Sequence, residues 1–145
     1  MVKNLDGKIS AALKRLSSGK KAFNKSDYIG AFGESARAKA RDVLRRYFSE
    51  HSPFAGLAPI FVSIGGGDGR ELEYLLGSES KANVGVLLEG VPEFAAAARA
   101  IKIEGKQLHV IEGDAQEKLV DAFTLAEGFV EPGCALAVTC HAVLH

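Results

Sequence analysis

The stretch Ile60-Phe61-Val62-Ser63-Ile64-Gly65-Gly66-Gly67-Asp68-Gly69-Arg70 decides how the rest of the chain is read. Ile60 to Ile64 is a short, nearly continuous apolar run rich in β-branched side chains, the pattern of a strand buried on both faces. It passes at once into closely spaced glycines, and from Arg70 to about Leu76 the leucines recur at helical spacing until Gly77 and Ser78 break the pattern. A strand, a glycine turn and a helix in that order leave backbone that a ligand can approach closely. They also leave free N–H groups at a helix start. This combination suits a nucleotide-like ligand, although a plain tight turn between strand and helix has the same composition. The dinucleotide fingerprint G-x-G-x-x-G requires glycine at position 70, where the sequence has Arg70, and this weighs against an NAD-dependent oxidoreductase.

Working outward toward the C-terminus, the pattern repeats. Asn83 to Glu89 reads as a second strand, with a helix from Pro92 or Glu93 through Phe94, Ala97, Ala98 and Ile101. Leu108 to Glu112 is a third strand, Gln116 to about Ala126 a helix, and Cys134 to Cys140 a fourth strand. Apolar strands alternating with helices over short connections predict an α/β fold: a doubly wound, mostly parallel, Rossmann-like sheet covered on both faces. Glu89 ends the second strand, where a carboxylate can accept from both hydroxyls of a ribose lying across the strand ends. Gly113-Asp114-Ala115 follows the third strand, where the carboxylate can accept from an adenine amino group and a backbone N–H can donate to the ring nitrogen beside it. Taken singly, Glu89 could be a solvated strand end and Asp114 the cap of the next helix. Together with the glycine turn they match an adenosine site at three consecutive strand ends.

These residues carry a resemblance: Ile60 to Leu144 resembles the class I S-adenosylmethionine (SAM) dependent methyltransferases. The resemblance implies SAM as cofactor and a strand order 3-2-1-4-5-7-6, of which this chain supplies the first four strands. It implies that Gly65, Gly66, Gly67, Asp68 and Gly69 underlie the methionine part of the cofactor. Glu89 then holds the ribose, and Asp114 with Ala115 holds the adenine. The family usually has Asp or Glu two residues before the first glycine, and this sequence has Ser63. That change removes a charge which would order the turn or reach the cofactor's ammonium group. His141 is expected to line the cofactor pocket. Val143-Leu144-His145 looks like the Val-Leu-His segment of some small-molecule O-methyltransferases, which makes His145 the candidate base, a role that suits the imidazole side chain in general. The Asn/Asp-Pro-Pro-aromatic signature of base-methylating relatives is absent, so nucleic-acid bases are disfavoured as acceptors and a small molecule is slightly preferred. The alternative is a binding module of the same fold that holds SAM or another adenosine ligand without transferring a methyl group.

The remaining features bound the answer. At 145 residues, 47% hydrophobic and 25% charged, the chain has the size and composition of one globular domain. Its longest apolar runs fall far short of the roughly 20 residues that span a membrane, and the N-terminus lacks a secretion signal. A cytoplasmic location is the expectation. Cys134 and Cys140, six residues apart on one strand, lie roughly 20 Å apart and cannot bridge each other. No metal site is implied. Residues 1–50 hold 12 Lys/Arg against 5 Asp/Glu, a net of +7, whereas residues 51–145 hold 6 against 13, a net of −7. This asymmetry sets a basic helical segment, residues 1–58, against the SAM-binding domain at 59–145. It leaves nucleic acid open as a partner, although a basic helix packed beside its own acidic domain explains it as well. A first helix is expected from Asp6 to Gly19 and a linker from Ser17 to Ser26. A second helix is expected from about Tyr28 or Phe32 to Phe48, with Phe32, Ala36, Ala40, Val43, Leu44, Tyr47 and Phe48 as its apolar stripe. This segment is expected to flank the cofactor cleft as a lid. The fourth strand, Cys-Ala-Leu-Ala-Val-Thr-Cys, carries no Lys, Glu or Pro, so its open edge invites further strands of a longer domain or self-association.

Overall fold

The computed structural model describes residues 38, 39, 41–43, 46, 54, 56–78 and 81–140. The expected first helix and the linker at 17–26 lie outside the described residues. So does most of the second helix, of which residues 38, 39, 41–43 and 46 are described and helical. Val43, expected in the apolar stripe, is 63% exposed. Contacts separate Met1–Ala40 from Arg41–His145, and the account below concerns the second unit.

Its core is a sheet of four parallel strands in the order β3-β2-β1-β4. In chain order the elements are β1 (Ala58–Ile64), α1 (Arg70–Ser78), β2 (Val84–Glu89), α2 (Pro92–Arg99), β3 (Gln107–Glu112), α3 (Ala115–Glu127) and β4 (Cys134–Cys140). The order matches the first four strands that the resemblance implies. β2 is buried along its whole length and β1 at all but its two end residues, as continuous apolar runs require of central strands. The edge strand β4 alternates instead, leaving Leu136 and Val138 at 39% and 48% exposure.

β1 starts at Ala58, earlier than the apolar run from Ile60 suggests, and so contains Pro59. The ladder explains why proline is tolerated. Ala58 N–H donates to Gly133 O at 2.7 Å on the β4 side, so the missing N–H of Pro59 points toward β2. Pairing with β2 begins only one residue later, at Ile60↔Val84, and no ladder bond is lost.

Helices cover both faces. On one, Ala122 and Ala126 of α3 pack against Ile60, Val62, Val84, Val86 and Leu88. On the other, Leu72, Leu75 and Leu76 of α1 and Ala98 of α2 pack on Phe61 and Leu87. The i, i+3, i+4 leucines of α1 are each at most 1% exposed. Truncating any one of them to alanine costs about 2–5 kcal/mol. α2 stops at Arg99 rather than running through Ile101. Ala100 and Ile101 donate back to Ala97 and Ala98 at 3.2 and 3.1 Å, a tightened last turn that swings Ile101 against the glycine turn.

Candidate functional site

All three predicted strand ends meet at the carboxyl edge of the sheet. Gly65 N–H donates to Leu88 O at 2.8 Å, which fixes the start of the turn after β1 against the end of β2. Gly69 has φ +80°, a left-handed conformation, and a Cβ there would meet the Ala98 Cβ at 2.8 Å, so only glycine lets α1 start this close to α2. At Gly66 the constraint is contact alone: an added Cβ would sit 2.3 Å from Ser63 Oγ and 2.8 Å from Leu87 Cδ1.

Glu89 joins the parts. Its side chain is inside the structure, the residue being only 6% exposed, which rules out the solvated strand end. Oε2 accepts from Gly67 N–H at 2.8 Å and Oε1 from Val91 N–H at 2.9 Å. Its main-chain carbonyl accepts from Gly113 N–H at 3.0 Å. One residue thus ties the turn after β1 to the turn after β3. Bonds from backbone N–H to a carboxylate are the stronger, charge-assisted kind. Each carboxylate oxygen retains a second lone pair, so this tie leaves acceptor capacity for a ligand hydroxyl.

The other carboxylates are placed differently. Asp68, 7% exposed, lies within the turn, where Oδ1 accepts from Arg70 N–H at 3.4 Å and Oδ2 is 3.6 Å from Arg70 Nε. Its negative charge sits at the start of α1, where the helix dipole favours it. Asp114 is exposed and caps α3, its Oδ1 accepting from Gln116 N–H at 2.7 Å. The capping role is therefore real, and it occupies one carboxylate oxygen. Ala115, half-buried, begins α3 and packs on the core below. Glu112 aligns with Glu89 across β2 and β3, and Arg99 of α2 pairs with the Glu112 carboxylate at 2.8 Å.

Sequence reasoning did not reveal the contact of Glu89 with Gly67 and Val91, which depends on β2 lying beside β1. It also missed Thr139, which stands opposite Ser63 in the β1–β4 register. His141 and His145 lie outside the described residues. Among the described residues, no three His, Cys, Asp or Glu side chains are grouped to hold a metal. An open depression lined by Asp121, Thr124, Leu125, Gly128 and Phe129 lies at the far end of α3, away from the carboxyl ends of the strands.

No protein-family model and no curated protein matches the sequence. Among solved structures the chain is similar to the plantazolicin methyltransferase BpumL in complex with a monoazolic desmethylPZN analog and SAH. That likeness has 16% identity and a TM-score of 0.51 over 96% of this chain and 60% of that one. The pyocyanin biosynthetic protein PhzM is 19% identical over 94% of this chain and 53% of its own, with a TM-score of 0.43. A putative methyltransferase in complex with the Haloferax volcanii Trm112 methyltransferase activator is 25% identical over 58% of this chain and 38% of its own, with a TM-score of 0.34. The BpumL likeness, with the 3-2-1-4 parallel sheet, identifies the fold as that of class I methyltransferases. The chain spans 60% of the length of BpumL.

Proposed function

We propose that the protein binds SAM at the carboxyl ends of β1, β2 and β3 and transfers its methyl group to an acceptor, a small molecule being slightly favoured. The observation that carries this reading is Glu89: a buried carboxylate at the end of β2 that organises the glycine turn and keeps acceptor capacity on both oxygens. Glu89 would hold the ribose hydroxyls, Asp114 with Ala115 the adenine edge, and Gly65 to Gly69 the amino-acid part. Bound there, SAM supplies a methyl group activated by its sulfonium. The chain's own residues contribute positioning and electrostatics, with a base at His145 where the acceptor has to lose a proton. His141 belongs to the same proposal as a pocket residue.

A second reading, a module that holds SAM or another adenosine ligand without transfer, is favoured by Ser63, which leaves the floor of the turn uncharged. Calorimetric titration with SAM, S-adenosylhomocysteine and NAD tests the ligand class. Binding of the first two and not the third is expected, and NAD binding alone would sink the reading. Release of labelled methyl from SAM to small-molecule acceptors then separates the enzyme from the module. Nucleic acid as a partner of the basic N-terminal half, and partner chains in general, stay within this proposal. No helix among the described residues is long and apolar enough to cross a membrane.

A further inference from the structure

The large apolar side chains that face water are not scattered. Among the described residues, Leu119, Val120, Val130, Leu136 and Val138 all belong to α3, the turn after it and β4. Leu136 and Val138 are register partners of Ile60 and Val62, so they lie on the sheet face that α3 packs against. On the β3 side of α3, Phe129 meets the His109 ring at 5.0 Å. With about 3.6 residues per turn, Leu119 and Phe123 stand on the other side of the line from Ala122 to Ala126, toward β4. An apolar strip thus runs between α3 and β4, floored by Leu136 and Val138 at 39% and 48% exposure. Contiguous apolar surface of this kind marks an interaction site.

Charge says what fits it. Glu127 and Glu131, both exposed, flank Val130 at the turn into β4. From Ala115 to Cys140 the sequence has one cation, Lys118, and Asp121 holds its Nζ at 2.9 Å. The rim of the strip is therefore acidic. The helical residues described between 38 and 46 have the opposite character. Lys39, Val43 and Arg46 are exposed there, at spacings of four and three that put them on one side of a helix. Residues 37–46 hold five Lys/Arg against one Asp. One chain thus exposes a basic helix side centred on Val43 and an acidic apolar strip at the same time.

We propose that the strip between α3 and β4 is the docking surface for the basic helical segment of a second copy of this chain. Val43 of one copy adds to the apolar strip of the other, with Lys39 and Arg46 facing the acidic rim of Glu127 and Glu131. Burial of the apolar side chains drives the contact, and the complementary charges select the partner and its orientation. Each copy carries both surfaces, so the exchange is reciprocal and closes as a two-fold dimer. The proposal stands independently of the SAM reading.

Charge reversal in the full chain tests this by sedimentation equilibrium. One variant combines Lys39→Glu with Arg46→Glu, and the other combines Glu127→Lys with Glu131→Lys. Each alone is expected to dimerise about tenfold or more weakly than the unmutated protein, because like charges then face each other at both contacts. In an equal mixture the charges are complementary again at both contacts, and a heterodimer as strong as the unmutated dimer should form. Lys39→Arg with Arg46→Lys keeps the charges and should dimerise as before. Undiminished association of the helix variant would overturn the proposal and leave strand-edge pairing as the contact. A mixture that stays monomeric while both variants keep the unmutated circular dichroism spectrum would overturn it too. Where a double variant loses that spectrum, Lys39→Gln and Glu131→Gln decide instead: each weakens dimerisation if the proposal holds, and no effect from either overturns it. An unmutated protein that is monomeric at every concentration would also overturn it.

Discussion

Glu89 serves two purposes that substitution can separate. Its carboxylate receives two backbone N–H groups, so Glu89→Gln keeps the volume but presents an amide NH2 to one of those donors. Chemical denaturation without ligand should show a loss of about 1–3 kcal/mol, the cost of an unsatisfied buried donor. Affinity for S-adenosylhomocysteine should fall by about 1.5–3 kcal/mol beyond any unfolded fraction, the range for hydrogen bonds to a charged group. If denaturation shows the loss and calorimetry shows unchanged affinity, Glu89 ties the turn and does not touch ribose. Gly66 offers a purely steric counterpart. Gly66→Ala forces a methyl to within 2.3 Å of Ser63 Oγ and should destabilise by about 1–3 kcal/mol. Because the obstacle is that hydroxyl, Ser63→Ala should recover part of the loss. A double-mutant cycle from thermal melts is expected to show coupling of about 0.5 kcal/mol or more, and strictly additive effects would place the strain elsewhere.

At the scale of elements, most of this chain could be read from its pattern. β4 spans the residues expected, and β1, β2, β3, α1 and α3 shift by at most two residues at either end, because period and flanking glycines mark them. The exceptions have local causes. β1 gained Pro59 because the neighbouring ladder begins after it, and α2 lost Ile101 to a tightened turn. The Asp114 cap belongs to this scale too, and it competes with the adenine role. Asp114→Ala should cost α3 about 0.5–2 kcal/mol in a thermal melt. Asp114→Asn caps about as well, so its stability should stay near that of the unmutated protein. The amide then turns a donor toward the adenine amino group, and binding of S-adenosylhomocysteine should weaken. Undiminished binding by the asparagine variant would leave Asp114 with capping alone.

At the scale of the whole molecule, β4 is an outer strand of the sheet among the described residues. Leu136 and Val138 are exposed on it, and the strand bears no charge to repel another copy. The 145-residue chain is expected to show concentration-dependent association in light scattering, and Val138→Lys should reduce it. An antiparallel pairing of two such edges about Ala137 sets Cys134 opposite Cys140 of the second copy. Mild oxidation should then link that pair, detected by mass spectrometry of the digested protein. A single light species at all concentrations would defeat this expectation. The sequence by itself determined the class of fold, the order of its elements and the three strand ends that carry the candidate ligand groups, because apolar period and glycine spacing are local properties. Only the tertiary structure decided what those groups touch. Glu89 clasps the glycine turn because β2 pairs with β1, and Ser63 meets Thr139 because β4 crosses to β1's other side. These are contacts between residues distant in the chain, set by strand order and register, and no local pattern encodes them.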